Sequence, residues 1–144
     1  MAYYSLDLHA LRETAVSELI ELDIEEDEAL KRSKYNARRV RKDGYTFDSQ
    51  AEALRYDELR LLEKSGEISL LIVHPRFEIV APVVYKGKRH RAISNVADFQ
   101  YLDHAIDQTV IEDVKGYYTA LFKLKWQLML LHYSKYFDLR IVEV

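Results

Sequence analysis

Residues 94–116 read SNVADFQYLDHAIDQTVIEDVKG, and the stretch contains two candidate β-strands, at residues 94–102 and 109–115. A polar loop joins them. Because side chains alternate between the two faces of a strand, we expect Asp113 and Lys115 on one face and Val114 on the other. The carboxylate of Asp113 and the amine of Lys115 would then lie side by side. Glu112 should face the opposite way, which favours Asp113 as a ligand for a cation, although a twist or a bulge would reverse that choice.

Asp98 lies in the first of these candidate strands, between the apolar residues Ala97 and Phe99. An unpaired carboxylate is costly in apolar surroundings, so Asp98 needs a partner. A metal ion would serve, and a salt bridge to Arg89 or Arg91 is the alternative.

The segment before this stretch predicts a hairpin followed by a helix. Asp43-Gly44 supplies the positive backbone angles of a tight turn between two short basic strands. Ser49 and Glu52 have the spacing of a capping box, which predicts a helix from there to about residue 64. Gly66 stands where a helix commonly ends.

Three further segments complete the expected α/β fold. Residues 68–84 are rich in β-branched and aromatic residues and are interrupted by Pro75, which predicts two short strands or one kinked edge strand. We expect a meander of these strands with residues 94–102 and 109–115. A helix is predicted from Thr119 to about His132, and alternating apolar residues predict a last strand at 137–141.

The N-terminal segment differs in charge from the rest of the chain. Residues 1–30 carry nine acidic residues and one basic residue, whereas residues 31–144 carry 20 basic and 15 acidic residues. Apolar residues recur in residues 5–30 with the period of an amphipathic helix. The charge and the apolar period together predict an acidic helical segment at the N-terminus, distinct from the rest of the chain.

Two basic clusters are candidates for binding the phosphate backbone of a nucleic acid, the alternative being a solvated charged face. The residues expected to contact DNA are Lys34, Arg38, Arg39, Arg41 and Lys42 in the first cluster, and Lys88, Arg89 and Arg91 in the second.

Composition limits the class of protein and of metal site. The chain has no cysteine, so disulfides and thiolate zinc sites are excluded, and a metal would be held by carboxylates, carbonyls or histidines. The five histidines show no metal-ligand spacing. No apolar stretch approaches the roughly 20 residues of a membrane helix, and we expect a cytoplasmic protein.

The candidate active site consists of Glu52, Asp98, Asp113 and Lys115. Mg²⁺ prefers oxygen ligands and keeps several waters, so Glu52, Asp98 and Asp113 would suffice to hold it and leave room for a phosphate oxygen and an attacking water. Lys115 could orient or deprotonate the water, or stabilise negative charge directly. These residue types in this order favour phosphodiester hydrolysis.

The same residues carry a family resemblance. The runs Phe47-Asp48-Ser49-x-x-Glu52-Ala53, Val96-Ala97-Asp98-Phe99 and Glu112-Asp113-Val114-Lys115-Gly116 resemble the PD-(D/E)xK pattern of phage endonuclease I-like nucleases, which include Holliday-junction resolvases. The resemblance covers about residues 33–144, which implies an acidic helical extension, residues 1–32, and a nuclease domain, residues 33–144. The third acid is Asp where the better-known resolvases often carry Glu, and residues 1–32 match nothing in the pattern.

The resemblance implies a restriction-endonuclease-like core, a mixed sheet flanked by helices, with the acidic N-terminal helix as an addition. It also implies that Glu52, Asp98 and Asp113 hold Mg²⁺ or Mn²⁺, that Lys115 is the catalytic lysine, that the substrate is branched DNA and that the protein is a homodimer. A phage-encoded enzyme acting inside the host cell is the corresponding expectation.

Each residue of the candidate site also has a simpler explanation. Asp113 and Lys115 could form a surface ion pair, and Glu52 could serve only as a helix cap. At the level of function, the alternatives are a nicking or restriction-type nuclease on duplex DNA, and a non-catalytic nucleic-acid- or partner-binding protein on a nuclease fold.

Overall fold

The computed structural model describes residues 38–144. The predicted N-terminal helix, the division of the chain after residue 32 and the candidate DNA-binding residue Lys34 lie outside the described residues.

The described residues form two helices and ten strands. The helices are α1 (Gln50–Ser65) and α2 (Ala120–Tyr133). The strands are β1 (Val40–Lys42), β2 (Tyr45–Phe47), β3 (Ile68–Val73), β4 (Arg76–Val80), β5 (Val83–Tyr85), β6 (Lys88–His90), β7 (Ile93–Val96), β8 (Phe99–Asp103), β9 (Gln108–Lys115) and β10 (Asp138–Glu143).

Local sequence rules account for the first hairpin and both helices. Strands β1 and β2 pair in antiparallel fashion around Asp43 and Gly44, whose φ angles are 50° and 83°. Helix α1 begins after Ser49 and ends at Gly66, which has the left-handed conformation typical of a helix end. The side chain of Thr119 caps α2. These predictions are confirmed.

The central sheet has four strands in the order β10-β9-β8-β3. Strand β9 pairs antiparallel with β8 and parallel with β10, and β3 pairs antiparallel with β8. The protein is therefore a mixed α/β protein, as expected. The predicted meander is wrong beyond β8 and β9, because β4 to β7 intervene along the chain between β3 and its partner β8.

Strand β9 separates two apolar cores, and its alternating side chains contribute to both. Val110 and Val114 pack with residues of α1, β3 and β8 in one core. Ile111 packs with Met129 of α2 and with residues of β4 in the other. Because β9 is covered on both faces and paired on both edges, the side chains of Glu112 and Asp113 lie in the protein interior.

Residues 94–102 do not form the single strand that we predicted. Strand β7 ends at Val96 and pairs with β4, whereas β8 begins at Phe99 and pairs with β3. Opposite this break, His74 and Pro75 separate β3 from β4. Two backbone hydrogen bonds span the break, from His74 N to Asp98 O (2.9 Å) and from Ala97 N to Pro75 O (3.0 Å).

Strands β5 and β6 form a hairpin that projects from the rest of the structure. All residues from 81 to 91 are exposed, and the two strands pair with each other without substantial contact with another described element. Of the two alternatives predicted for residues 68–84, the pair of strands is confirmed, as β3 and β4, and the segment ends in the start of this hairpin. Neither described helix has the length and apolar character needed to cross a membrane.

Candidate active site

Asp98 lies at the break between β7 and β8, where its backbone is held on two sides. Its N–H donates to the carbonyl of Glu112 (3.1 Å), and its carbonyl accepts from His74. Its carboxylate Oδ2 accepts a hydrogen bond from the backbone N–H of Val114 (2.7 Å). The residue is 9% exposed and pairs with neither Arg89 nor Arg91, so the predicted alternative partners are wrong.

Asp113 and Lys115 lie on the same face of β9, as the alternation of strand side chains predicted. The Lys115 Nζ is 2.6 Å from Asp113 Oδ1, and the two side chains are 26% and 3% exposed. The ammonium group also lies 5.0 Å from the centre of the Phe122 ring on α2. The ion pair is largely buried, so the simpler explanation that Asp113 and Lys115 form an exposed surface ion pair is wrong.

Glu52 is in the first turn of α1 and does act as a helix cap. Its carboxylate accepts hydrogen bonds from Asp48 N (3.1 Å) and Ser49 Oγ (3.3 Å), and its own N–H donates to Ser49 Oγ (3.2 Å). The same carboxylate interacts electrostatically with Asp98 and Lys115. Because each carboxylate oxygen has two lone pairs, capping leaves Glu52 able to bind a cation.

The electrostatics of the site reflect three carboxylates gathered around one amine. Burial and the neighbouring carboxylates of Asp113 and Glu52 raise the pKa of Asp98 to about 8. Burial lowers the pKa of Lys115, but the carboxylates of Asp113, Asp98 and Glu52 outweigh it and leave that pKa raised. Burial likewise raises the pKa of Glu52. The site thus has an excess of negative charge that a divalent cation would relieve.

Glu112 faces the other side of β9, where its carboxylate accepts hydrogen bonds from two residues. Its carboxylate accepts from Arg55 Nε (2.6 Å), Arg55 Nη2 (3.0 Å) and the hydroxyl of Tyr101 (2.7 Å), and its side chain is completely buried. This arrangement leaves Asp113, and not Glu112, in the candidate site.

His74 is a neighbour of the site that the sequence reasoning missed. One donor atom each from Glu52, His74 and Asp98 can be chosen so that all three lie within 4.8 Å of one another. Spacing along the chain could not place His74 near Asp98. The two residues meet because β3 pairs with β8. The break predicted at Pro75 was the one available signal.

The predicted DNA-binding residues fall in two regions. Arg38, Arg39 and Arg41 are exposed near the first hairpin, where Arg39 pairs with Asp48 (3.3 Å) and Lys42 pairs with Asp57 of α1. Lys88, Arg89 and Arg91 are exposed on or beside β6.

The fold and the site together define a mixed α/β protein with a cluster of three carboxylates and a lysine at the end of its central sheet. Residues 32–143 match the model of a family described as "Protein of unknown function (DUF1064)". The match spans more than half of the chain, which therefore belongs to this family. Comparisons with curated proteins and with solved structures found no match.

Proposed function

We propose that this protein is a metal-dependent DNA endonuclease of the PD-(D/E)xK type that cuts branched DNA such as Holliday junctions. The observation that carries the proposal is the convergence of Glu52, Asp98 and Asp113 on Lys115. These groups come from α1, from the break in the sheet and from β9. Buried carboxylates that repel one another fit a site for a divalent cation.

In this proposal, Asp98 and Asp113 hold the ion from the sheet and Glu52 holds it from α1. A bound Mg²⁺ or Mn²⁺ would supply neutralisation of phosphate charge and a more acidic water. The chain's own part is positioning: the N–H of Val114 orients the carboxylate of Asp98, and Lys115 orients Asp113.

The ion pair between Lys115 and Asp113 favours one of the alternative roles of Lys115. An amine held in an ion pair is protonated, so it cannot accept a proton from water. Its ammonium group can instead stabilise the negative charge that develops on the phosphate. We therefore propose Lys115 as a charge-stabilising residue.

The test of the proposed function compares a labelled four-way junction with a linear duplex of the same sequence, each incubated with the protein and Mg²⁺. We expect cleavage of the junction, little cleavage of the duplex, and none by Asp98→Asn, because the amide lacks the charge that the cation requires. Equal cleavage of both DNAs would indicate a nuclease acting on ordinary duplex. Absence of cleavage, or cleavage that survives Asp98→Asn, would reject the proposed mechanism.

Cutting both strands of a junction in a coordinated way requires two active sites, so the proposal includes a homodimer. Sedimentation of the full chain measures its oligomeric state. The same measurement on a variant lacking residues 1–32 shows whether the acidic segment contributes to dimer formation. A monomer at the protein concentration used for cleavage would contradict this part of the proposal.

The β5–β6 hairpin is the proposed contact with the DNA backbone. Residues 81–91 contain Lys86, Lys88, Arg89 and Arg91 and no acidic residue, and all of them are exposed. Cations on a projecting arm can reach phosphates without moving the core, and their binding releases counterions.

Replacing Lys88, Arg89 and Arg91 together with alanine should weaken DNA binding and reduce the slope of log K against log salt by about 2 to 3, roughly one unit for each phosphate that is no longer neutralised. Fluorescence anisotropy at several salt concentrations measures this. A triple variant at exposed cations elsewhere, Arg60, Lys64 and Lys135, is the matched control and should keep the wild-type slope. Equal slopes for the two triple variants would show that the hairpin does not bind DNA.

A further inference from the structure

We propose that His74 is a metal ligand, which together with Glu52 and Asp98 makes the site select Mn²⁺ over Mg²⁺. This inference rests on the proposed function, because Glu52 and Asp98 are ligands in that proposal as well. What it adds is a nitrogen donor, and with it a preference among divalent cations.

The position of His74 is fixed by the fold. It follows β3 directly, and its N–H donates to the carbonyl of Asp98 across the break in the sheet (2.9 Å). Its φ angle is 54°, a left-handed conformation that histidine adopts more readily than most residues, and Pro75 follows it. Its ring contacts the buried Phe47, with 5.7 Å between ring centres. These constraints place the imidazole beside the carboxylates.

The imidazole is available for a ligand. Among residues 38–144, His74 interacts through its backbone N–H and through its ring contact with Phe47, and neither ring nitrogen forms a hydrogen bond or an ion pair with another residue. The nearby cation Lys115 is already bound to Asp113. His74 therefore contributes a free donor in addition to the carboxylates.

The geometry requires only small movements to bind a metal. The three donor atoms lie within 4.8 Å of one another. An ion with bonds of about 2.1 Å holds two of its ligands at most about 4.2 Å apart. Small rotations of side chains, within the range that a half-buried site permits, close the difference.

The donor set decides which of the two ions, Mg²⁺ or Mn²⁺, binds more tightly. Mg²⁺ takes oxygen ligands almost exclusively, whereas imidazole nitrogen suits transition metals. Mn²⁺ accepts carboxylates and water as Mg²⁺ does, and it also tolerates a nitrogen ligand. The carboxylates of Glu52, Asp98 and Asp113 together with one imidazole therefore favour Mn²⁺, and the remaining positions stay open to water and a phosphate oxygen.

The experiment measures binding of Mn²⁺ and Mg²⁺ to the full metal-free chain without DNA. Electron paramagnetic resonance follows the loss of the free Mn²⁺ signal, and Mg²⁺ is then added as the competitor. We expect wild-type protein to bind Mn²⁺ at least about tenfold more tightly than Mg²⁺. The substitution His74→Ala should reduce Mn²⁺ affinity by about 10- to 100-fold and Mg²⁺ affinity much less.

Two further variants separate metal ligation from a structural effect. His74→Asn replaces nitrogen with an oxygen donor and should bring the affinities for the two ions together, which a general loss of packing would not do. His104→Ala, at an exposed histidine in the turn between β8 and β9, should leave both affinities unchanged. A wild-type ratio of affinities in His74→Ala and His74→Asn would overturn the inference.

The outcomes also separate this inference from the proposed nuclease. If Mn²⁺ binds through His74 and no DNA is cut, the result supports the metal site and rejects the proposed nuclease activity. If DNA is cut and the substitutions at His74 leave the ratio of Mn²⁺ to Mg²⁺ affinity unchanged, the nuclease stands and His74 is not a ligand.

Discussion

In the proposed nuclease, replacing Lys115 with alanine should slow DNA cleavage by about 10²- to 10³-fold or more, the usual effect of removing one charge-stabilising group from a transition state. Binding of the junction should stay close to wild type, because Lys115 is one partly buried cation and the exposed cations lie elsewhere. Single-turnover cleavage with saturating protein and Mg²⁺ measures the chemical step, and anisotropy measures binding.

Two further variants serve as controls in this experiment. Loss of the ammonium group leaves Asp113 without its ion-pair partner in a buried site, so Lys115→Met, which keeps most of the side-chain stem, tests whether folding is the cause. Lys64→Ala, at the far end of α1 from Glu52, should cleave like wild type. Cleavage by either Lys115 variant within about twofold of wild type would remove this residue from the mechanism.

Replacing Arg55 with alanine should lower the free energy of unfolding by about 3–5 kcal/mol, the typical cost of leaving one member of a buried ion pair unpaired. The Glu112 side chain is completely buried, and Arg55 provides two of its three hydrogen bonds. The hydroxyl of Tyr101 would then be the remaining partner. Denaturation with urea, followed by circular dichroism, measures the change.

Arg60→Ala is the matched control, since Arg60 lies on the same helix and forms its ion pair with Glu63 on a more exposed surface. Its removal should cost no more than about 1 kcal/mol. The double substitution Arg55→Met with Glu112→Leu should recover much of the stability, because it removes the unpaired charge. If the two substitutions lowered the free energy of unfolding by the same amount, burial of the Arg55–Glu112 pair would contribute nothing to stability.

Features set by neighbouring residues were predictable from the sequence. The turn at Asp43 and Gly44, the caps at Ser49 and Thr119, and the shared face of Asp113 and Lys115 all depend on rules that act over a few residues. The prediction that Glu112 points away also follows from alternation along one strand.

Features that depend on distant pairing were not predictable in the same way. His74 reaches the site because β3 pairs with β8, and Arg55 reaches Glu112 from 57 positions away along the chain. The local pattern predicts continuous strand through Asp98, because the cause of the break lies in the opposite strand at His74 and Pro75. Nor does the pattern of a last strand reveal that β10 pairs in parallel with β9.

The projecting β5–β6 hairpin has a consequence for how such a protein can change over time. Because residues 81–91 bury nothing in either apolar core, insertions, deletions and charge changes there leave the folding free energy nearly untouched. Residues around Asp98 and Asp113 have no such freedom, since they are fixed by backbone pairing on both sides. Selection could therefore alter the length and charge of this hairpin while the buried carboxylates stay as they are.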